Sequence, residues 1–505
     1  MKKAKSLICV ALAAILCMSM VFAVSAYEPL LCYLGDADLN NTVNVKDATL
    51  VQKYVAFLAT LNNVQLVCAD ADENESVNVK DATLIQKYVA SMDVDHPVGG
   101  EIIFDYTIPT DPSTTVTEPS STVTEPTTAP TEPEEKMDTN ITIYFSNNVG
   151  WSTVNAYLYN EYKGTQKADW PGTAMTLLGT NDYGEKIYKM NVDVSEYNRV
   201  VFNNGKSQTL NATLSVASSG FFVTSQTPKT AMQLGVYAFD ETDYGKLTTV
   251  KLDYPDGYKK PIYIWTPQGY DPADTSKKYK VIYLLDGQNQ FEDDAPYNGG
   301  WGSDEVVTAL QHNGGEGIIL VGIDNQRNRD NELTPDIGDV IPAYANQGFE
   351  NGTGERFSDF VADIVVPYIQ QNYNVSTNPD DNAIVGSSSG GIEAFYIGME
   401  NMDIFGNIGA LSPAFMLFDK ADWDAYLAKF DYADTAKLPR IYFYNGGGDS
   451  LELELNPYAE AMPQWLEGLG YPEDKMIFSH DDKNGHNEAA WRCVMPEVVS
   501  WLFEL

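Results

Sequence analysis

A stretch of Thr, Pro, Ser and Glu at residues 107–137 divides the chain, because it contains almost no large apolar residue that could enter a core. Proline keeps such a segment extended, and its glutamates keep it solvated. The composition therefore predicts a linker with separate folding units on either side. The longer side is expected to hold more than one domain, since 505 residues exceed what one hydrophobic core organises.

The N-terminus has the three parts of a cleaved export signal. Lysines at positions 2, 3 and 5 precede an apolar run over residues 7–24, and the small residues Ser25 and Ala26 follow it. We therefore predict that residues 1–26 are a signal peptide and that the mature protein is extracellular. Its 32 basic and 71 acidic residues give a formal charge of −39, which repels nucleic acid and anionic lipid alike. A neutral partner such as a polysaccharide fits this charge better.

The acidic segment 36–47 recurs nearly verbatim as the segment 70–81. Its oxygen-bearing side chains have the spacing by which a calcium loop surrounds one hard cation. The predicted ligands are Asp36, Asp38, Asn40, Thr42, Asn44 and Asp47 in the first copy and Asp70, Asp72, Asn74, Ser76, Asn78 and Asp81 in the second. We expect the second site to bind more weakly, because Glu75 stands where such loops usually have Gly. The alternative is a pair of acidic turns before helices.

With these two loop-helix repeats, residues 30–95 resemble the dockerin family. The resemblance implies an all-α unit that binds two Ca²⁺ ions and plugs an enzyme into a cohesin of a scaffold protein. Loop positions 10 and 11, which help dockerins choose their cohesin, are identical in the two copies and suggest two equivalent faces: Val45 and Lys46, Val79 and Lys80. Two cysteines of this region leave two alternatives open, a disulfide between Cys32 and Cys68 or two small buried hydrophobic side chains.

Short alternating strands separated by Asn and Gly turns fill residues 138–230 and predict a β-sandwich. With tryptophans at 151 and 170 and Val-Phe-Asn-Asn-Gly at 201–205, this region resembles bacterial starch-binding modules. The resemblance implies aromatic side chains that stack on glucose rings and amides that bond the hydroxyls. The candidates are Tyr157, Tyr159 and Trp170 for stacking, with Asn204 and Gln208 as polar partners. Tyr157 and Tyr159 share one face of a strand, which is either the core or the sugar platform.

Residues 240–505 alternate near-continuous apolar strands with amphipathic helices, which predicts a mainly parallel sheet with helices on both faces. The sequence Gly-Ser-Ser-Ser-Gly at 386–390 stands where a strand ends and a helix begins. Small flanking residues at such a point allow a nucleophile to sit exposed on a strained turn, and this favours Ser388 as the nucleophile. A flexible Ser and Gly loop is the alternative.

A serine hydroxyl needs an imidazole to take its proton, and an acid to orient the imidazole. His486 follows the last predicted strand and is favoured as the base over His480. Asp449, in the Gly-rich loop after residues 440–444, is favoured as the acid, with Glu452 and Glu454 as alternatives. Two donors must face the oxyanion, and we predict that Ser389 and Gln288 supply them.

With Leu-Leu-Asp-Gly-Gln at 284–288, the serine motif and Gly-His at 485–486, this domain resembles the esterase D-like family of enterochelin, feruloyl and acetylxylan esterases. The resemblance implies an α/β-hydrolase fold and ester hydrolysis through an acyl-enzyme, without a cofactor in the catalytic site. It leaves the acyl group open.

The patterns together predict a secreted serine carboxylic-ester hydrolase that removes acetyl or feruloyl groups from a plant polysaccharide. Its sandwich would direct it to starch-rich material, and its dockerin would place it in a multienzyme complex. One alternative is a non-catalytic starch-binding component with a degenerate hydrolase domain. A glycoside hydrolase is disfavoured, because the sequence shows no carboxylate pair in a recognisable glycosidase setting.

Overall fold

The computed structural model describes residues 30–37, 42–55, 68–69, 71–72, 77, 79–90, 98–104, 137–181, 183–225, 232–239, 245–291, 300–345, 349 and 352–505. The chain divides into two compact units, residues 1–129 and 130–505. The predicted signal peptide and the predicted linker up to residue 136 lie outside the described residues. Within the described ranges, no helix combines the length and the apolar character needed to cross a membrane.

The N-terminal unit is built on the sequence repeat. Its helices are α1 (Val45–Val55) and α2 (Val79–Val89), which contact each other. Equivalent positions of the two copies are buried between them: Ala48 and Val51, Ala82 and Ile85. Strands β1 (Leu30–Tyr33) and β2 (Glu101–Phe104) lie on either side of the repeat in sequence and pair antiparallel. The all-α prediction for this unit is therefore corrected, because the segments flanking the repeat form a two-stranded sheet.

Cys68 resolves the question that the sequence left open at this cysteine. It is buried and disulfide-bonded, so it is not a free thiol. Cys493, in the other unit, is buried and free. Cys68 therefore takes part in a disulfide, and its pairing with Cys32 stays a prediction.

The middle region forms the predicted β-sandwich from two five-stranded sheets. The first has the order β10-β9-β4-β5, with β6 also paired to β4, and the second has the order β12-β11-β3-β8-β7. The strands are β3 (Asn140–Asn147), β4 (Asn155–Asn160), β5 (Thr165–Gln166), β6 (Thr173–Ala174), β7 (Thr176–Thr180), β8 (Lys186–Asp193), β9 (Arg199–Asn203), β10 (Ala212–Thr213), β11 (Gly220–Ser225) and β12 (Gln233–Tyr237). The sandwich extends past the predicted end at residue 230, because β12 pairs antiparallel with β11.

The C-terminal region is an eight-stranded sheet of order β13-β14-β16-β15-β17-β18-β19-β20. The first three strands in this order pair antiparallel, and the strands from β16 to β20 pair in parallel. The strands are β13 (Lys246–Asp253), β14 (Lys259–Thr266), β15 (Lys280–Leu284), β16 (Ile318–Ile323), β17 (Asn382–Ser387), β18 (Asn407–Leu411), β19 (Arg440–Gly446) and β20 (Met476–Asp481).

Helices cover both faces of this sheet. They are α3 (Ser303–His312), α4 (Arg329–Glu332), α5 (Pro342–Tyr344), α6 (Gly354–Phe360), α7 (Val366–Asn372), α8 (Ser389–Glu400), α9 (Lys420–Leu427), α10 (Ser450–Gly468) and α11 (Glu488–Leu502), with a π-helical turn at Val361–Val365. Alternate residues of β15 enter two different cores, since Val281 and Tyr283 pack with Phe395 of α8, whereas Ile282 and Leu284 pack with Val494 of α11. A sheet buried on both faces explains why its strands are apolar almost throughout.

The sandwich and the α/β domain share one hydrophobic core. Phe145 and Phe202 of the sandwich belong to the same buried cluster as Val306 of α3 and Val494 of α11. The polar contacts at this junction are also buried. Arg199 of β9 forms an ion pair of 2.9 Å with Glu497 of α11, and its side chain is 3% exposed. We conclude that the sandwich is packed in a fixed position on the α/β domain and is not joined to it by a flexible linker alone.

We expect Arg199→Ala to destabilise the sandwich and the α/β domain together. The carboxylate of Glu497 would lose its cation while staying buried, which costs about 3–5 kcal/mol of unfolding free energy. Urea unfolding followed by tryptophan fluorescence should show one transition for both domains at a lower midpoint. The control Lys163→Ala removes an exposed pair with Glu196, and it should cost less than about 1 kcal/mol. Two separate transitions in the Arg199→Ala variant would contradict a shared core.

Candidate active site

The serine motif forms a sharp turn between β17 and α8. Ser388 has φ 58° and ψ −124°, a conformation that side chains rarely adopt. Small neighbours make the turn possible. A Cβ at Gly386 would overlap the backbone of Gly390, and a Cβ at Gly391 would lie 2.8 Å from the carbonyl oxygen of Leu411. The turn therefore presents the Ser388 hydroxyl at the carboxyl end of the parallel strands, above the N-terminus of α8.

Three side chains form a hydrogen-bonded row at this turn. His486 Nε2 lies 2.9 Å from Ser388 Oγ, and His486 Nδ1 lies 3.0 Å from Glu452 Oε1. The Glu452 side chain is fully buried, and the His486 side chain is 13% exposed. The edge of Trp491 packs against the imidazole, with ring centroids 5.0 Å apart. This arrangement orients one imidazole nitrogen toward the hydroxyl and gives the other a buried carboxylate partner.

The structure corrects the predicted acid. The Asp449 carboxylate does not bond the imidazole, because both of its oxygens accept hydrogen bonds from backbone N–H groups. Oδ1 accepts from the N–H groups of Leu451 and Glu452 at the start of α10, and Oδ2 accepts from the His486 N–H at 2.6 Å. Glu452 lies one turn further on and points back, and its second oxygen accepts from the Gly446 N–H at 2.9 Å.

The positions of these two carboxylates in the sequence could have shown which of them reaches the imidazole. Asp449 and Glu452 have the spacing of a helix N-cap and the third residue after it. An N-cap side chain accepts hydrogen bonds from N–H groups in the first turn of its helix. The side chain three residues later points back across the helix start. The other alternative, Glu454, accepts a hydrogen bond from the Tyr344 hydroxyl. The alternative base His480 stacks on Phe478, and no hydrogen bond joins it to Ser388 among the described residues.

The predicted oxyanion donors lie on adjoining elements. Ser389 begins α8, and Gln288 lies in the 3₁₀ turn Gly287–Asn289 after β15. A Cβ on Gly390 would lie 3.3 Å from Asp286 Oδ2, which places this turn beside the start of α8. The carboxamide of Gln288 is tied back, since its Oε1 accepts from the Asn325 N–H and its Nε2 donates to Asp286. The N–H groups of the backbone are therefore the candidate donors at both positions.

A buried polar network supports the turn at Gln288, and the sequence did not indicate it. Arg329 holds the Asp286 carboxylate through two bonds of 2.8 and 2.7 Å. Asn325 accepts from the Asp286 N–H and donates to Glu332, which forms a buried ion pair of 2.7 Å with Lys260. These partners are far apart in the sequence, with Arg329 lying 43 residues from Asp286, so no local motif could have revealed them.

Glu488 is a second buried carboxyl group in this part of the chain. It begins α11, two positions after His486, and it is 8% exposed. Burial raises its pKa to about 7, and the nearby Asp286 carboxylate acts in the same direction. An acid whose pKa rises on folding stabilises the protein while it is protonated, and this stabilisation is lost as the pH rises through the pKa of the folded state.

We expect Glu488→Gln to reduce the pH dependence of stability. The contribution of Glu488 is fully present below about pH 4.5 and declines up to about pH 7, by about 3 kcal/mol in total. Urea unfolding at pH 5 and pH 7.5 should show a smaller loss of unfolding free energy in the variant than in the wild type. Glu473→Gln, which changes an exposed glutamate, is the control and should retain the wild-type dependence. An unchanged difference in Glu488→Gln would refute the assignment.

The sugar-binding candidates of the sandwich lie on its outer face. Ala156 and Leu158 of β4 point into the core, so Tyr157 and Tyr159 point away from it. The Tyr157 ring centroid lies 5.7 Å from that of Tyr159 and 5.5 Å from that of Trp170, which is 46% exposed. This face of β4 therefore lies on the outer surface of the sandwich and not in its core, which was the other alternative. We call Tyr157, Tyr159 and Trp170 the aromatic face.

The predicted polar partners differ in their surroundings. Asn204 uses its side-chain oxygen to accept from the Lys206 and Ser207 N–H groups, so it is part of a tight turn. Gln208 is half-buried and forms a backbone bridge with Asn203. Beside the aromatic face, the Tyr157 hydroxyl instead donates to Gln166 at 2.8 Å, a residue that the sequence analysis did not select.

Six of the predicted calcium ligands lie within the described residues, namely Asp36, Thr42, Asn44, Asp47, Asp72 and Asp81. The other six lie outside them, namely Asp38, Asn40, Asp70, Asn74, Ser76 and Asn78. Three of the described aspartates, Asp36, Asp47 and Asp81, are fully buried. Asp72 Oδ1 is buried and has no hydrogen-bond partner among the described residues. Buried carboxylates fit a cation site, although no cluster of three His, Cys, Asp or Glu residues is complete within the described part of the chain.

The elements that carry Ser388, His486 and Glu452 define an α/β-hydrolase-like domain, in which Ser388 follows a central parallel strand. Residues 257–502 match the family described as "Putative esterase", and residues 143–213 match "Starch-binding module 26". The chain therefore carries an esterase-family domain in its C-terminal region and a starch-binding module in its middle. Both resemblances predicted from the sequence are confirmed at this level.

The curated proteins that are similar to the chain include the following two. It is 20% identical to the uncharacterized protein YbbA of Bacillus subtilis, over 48% of this chain and 91% of that protein. It is 24% identical to an endo-1,4-beta-xylanase/feruloyl esterase of Xylanibacter ruminicola, over 52% of this chain but 30% of that protein. Among solved structures, the enterobactin esterase FES from Shigella flexneri matches at 13% identity with a TM-score of 0.42, over 72% of this chain and 93% of that one.

Proposed function

We propose that the chain is a secreted serine carboxylic-ester hydrolase that removes acyl groups, acetyl or feruloyl, from plant polysaccharide. The observation that carries this proposal is the row Ser388, His486 and Glu452 on a strained strand-to-helix turn. Such a turn keeps a costly backbone conformation, and exposing a nucleophile is a physical reason for it. The esterase family of this domain and the feruloyl esterase relative support ester hydrolysis as the reaction.

The geometry supports a two-step mechanism. Ser388 Oγ attacks the ester carbonyl carbon while His486 Nε2 takes the hydroxyl proton, and Glu452 stabilises the imidazolium through Nδ1–H. The tetrahedral oxyanion is held by the N–H groups at Ser389 and at the turn of Gln288. When the carbon–oxygen bond to the sugar breaks, His486 returns the proton to the leaving alcohol. Water then hydrolyses the acyl-enzyme with the same residue as base, and the carboxylic acid leaves.

The starch-binding module supports a polysaccharide as the partner of this enzyme. Exposed Trp170 and half-buried Tyr157 and Tyr159 form an aromatic surface, and aromatic rings of this kind pack on the apolar faces of sugar rings. A neutral polymer also suits a chain with a formal charge of −39, because it is not repelled. We propose Tyr157, Tyr159 and Trp170 as the stacking residues, with Gln208 and Asn204 at the edge of the site.

The N-terminal unit is proposed as a dockerin that binds two Ca²⁺ ions and a cohesin. Its support is the repeat of sequence and structure, with buried aspartates at equivalent loop positions and a buried Asp72 oxygen that has no hydrogen-bond partner among the described residues. Val45 and Lys46 at the start of α1 lie on the surface and are available to a partner. Their counterparts in the second copy, Val79 and Lys80, begin α2.

The function is tested by two measurements on the full chain. A serine-reactive phosphonate should label Ser388, which peptide mapping can locate. Hydrolysis of p-nitrophenyl acetate, methyl ferulate and acetylated starch should then show which ester is preferred. Cleavage of one or more of these together with labelling supports the proposed function. No labelling and no cleavage would favour the alternative of a non-catalytic starch-binding component.

A further inference from the structure

We propose that the aromatic face and Ser388 act on the same α-glucan chain, so that the ester is carried by the glucan that the module holds. This inference rests on the proposed function and adds the substrate to it. A module on a flexible tether would only concentrate the enzyme on starch-rich material. A module fixed at one place can instead form a subsite of the catalytic centre.

The first support is the fixed position of the module. Its core is continuous with the core of the α/β domain, and residues 130–505 form one compact unit. The junction is closed by buried polar contacts, among them Asn198 Nδ2 to Glu497 at 3.0 Å and Thr213 Oγ1 to the Cys493 carbonyl at 2.9 Å. A glucan held by the module therefore has a fixed position relative to Ser388.

The second support is where the aromatic face lies on its sheet. Strands β4 and β9 pair antiparallel, with Tyr159 opposite Arg199 and Tyr157 opposite Val201, so these side chains share the outer face. The end at Arg199 is covered by the α/β domain through Glu497, whereas the end at Trp170 is exposed. The aromatic face therefore lies next to the part of the sandwich that the α/β domain covers.

The third support is a short polar path from this face to the catalytic histidine. The Tyr159 hydroxyl accepts from Asn211 Nδ2 at 2.8 Å, and Asn211 and Asp481 line one small cavity. Asp481 is the last residue of β20, and it accepts from Asn484 Nδ2 at 2.9 Å. Asn484 precedes His486 by two residues, which span at most about 8 Å of backbone.

The parallel strands explain why both sites face the same edge. Ser388 follows the carboxyl end of β17, and Asp481 stands at the carboxyl end of β20, which runs in the same direction. The Tyr159 end of the aromatic face is joined to that edge, because its partner Asn211 lines a cavity with Asp481 and Asn484. In the proposal, a glucan that lies across Trp170 and Tyr157 extends past this end toward Ser388.

A fixed distance between the two sites predicts a chain-length effect. An acylated oligosaccharide too short to span from the aromatic face to Ser388 gains nothing from the module, whereas a longer one binds both at once. The full-length protein should be assayed with singly acetylated maltotriose and singly acetylated maltodecaose, with p-nitrophenyl acetate as reference. We expect kcat/KM for the decaose to exceed that for the triose by about tenfold, mainly through a lower KM.

Variants of the module distinguish a module that forms part of the catalytic substrate site from one that only attaches the enzyme to starch. Trp170→Ala should remove most of the length effect by raising KM for the acetylated decaose. Tyr183→Ala removes an aromatic ring that is 89% exposed elsewhere on the sandwich, and it should keep the full effect. The inference is overturned if Trp170→Ala weakens starch binding while the kinetics of the acetylated decaose stay as in the wild type, or if the wild type shows no length effect.

The same assays distinguish failure of the inference from failure of the proposed function. If the wild type cleaves none of the three esters, the proposed hydrolase and the inference fall together. If it cleaves p-nitrophenyl acetate and binds starch but treats both acetylated oligosaccharides alike, the hydrolase stands and the shared glucan chain is refuted.

Discussion

Ser388→Ala is expected to lower kcat for ester hydrolysis by on the order of 10⁵- to 10⁶-fold. In the proposed mechanism the hydroxyl oxygen bonds the acyl carbon, and the imidazole lies 2.9 Å away to accept the proton. Without that oxygen, only the oxyanion donors and substrate binding remain, and they leave a small residual rate above the uncatalysed reaction. Steady-state kinetics with p-nitrophenyl acetate measure the loss, and phosphonate labelling should disappear with it.

A matched control lies beside the nucleophile. Ser387 ends β17 and is 3% exposed, so Ser387→Ala removes a neighbouring hydroxyl without touching the hydrogen-bonded row. It should retain activity within about threefold and keep the phosphonate label, because the change is small and leaves Ser388, His486 and Glu452 in place. Equal activity in Ser388→Ala and wild type would show that the nucleophile has been assigned to the wrong residue.

Glu452→Gln is expected to lower kcat by about 10⁴-fold while leaving KM nearly unchanged. The carboxylate accepts a hydrogen bond of 3.0 Å from Nδ1–H of His486. This bond stabilises the tautomer in which Nε2 carries no proton and can act as base. An amide at this position can present its N–H to Nδ1 and stabilise the other tautomer, in which Nε2 carries the proton and cannot act as base. The buried Glu452 carboxylate also stabilises the imidazolium that forms during attack, and the neutral amide does not.

Asp449→Asn is the comparison that decides between the two carboxylates. Its oxygen can still cap α10, so we expect a stability loss of about 1 kcal/mol and an activity loss of about tenfold or less. Kinetics and urea unfolding of the two variants, measured side by side, test the assignment. A larger loss of kcat in Asp449→Asn than in Glu452→Gln would restore Asp449 as the acid.

The corrected acid shows a limit of sequence interpretation. The loop after β19 offers several carboxylates within a few residues, and the sequence favoured Asp449 for its position after the Gly residues. Which one reaches the imidazole depends on where α10 begins, because the N-cap side chain turns into its own helix and the third residue points back. A shift of the helix start by one residue would have changed the answer.

The boundaries and minor strands show a second limit. The apolar runs of this domain predict strands at residues 281–285, 317–323, 382–385, 440–444 and 475–478. They do not predict β13 or β14, although these two strands pair antiparallel over their full lengths at one edge of the sheet. Strand β13 is an edge strand with mostly exposed residues, so it lacks the apolar run that reveals the central strands. Strand β18 was also missed, because five residues starting with Asn and containing Gly give little signal although all are buried.

By itself, the sequence determined the order of the regions, the sandwich, the α/β character of the C-terminal region and the turn at Ser388. These follow from local physics, since periodicity, turn residues and small side chains act over a few positions. Only the tertiary structure decided which carboxylate meets His486, which residues support the turn of Gln288, and that the module shares the core of the hydrolase. Those outcomes depend on groups that lie far apart in the chain, whose meeting is set by how the strands and helices pack.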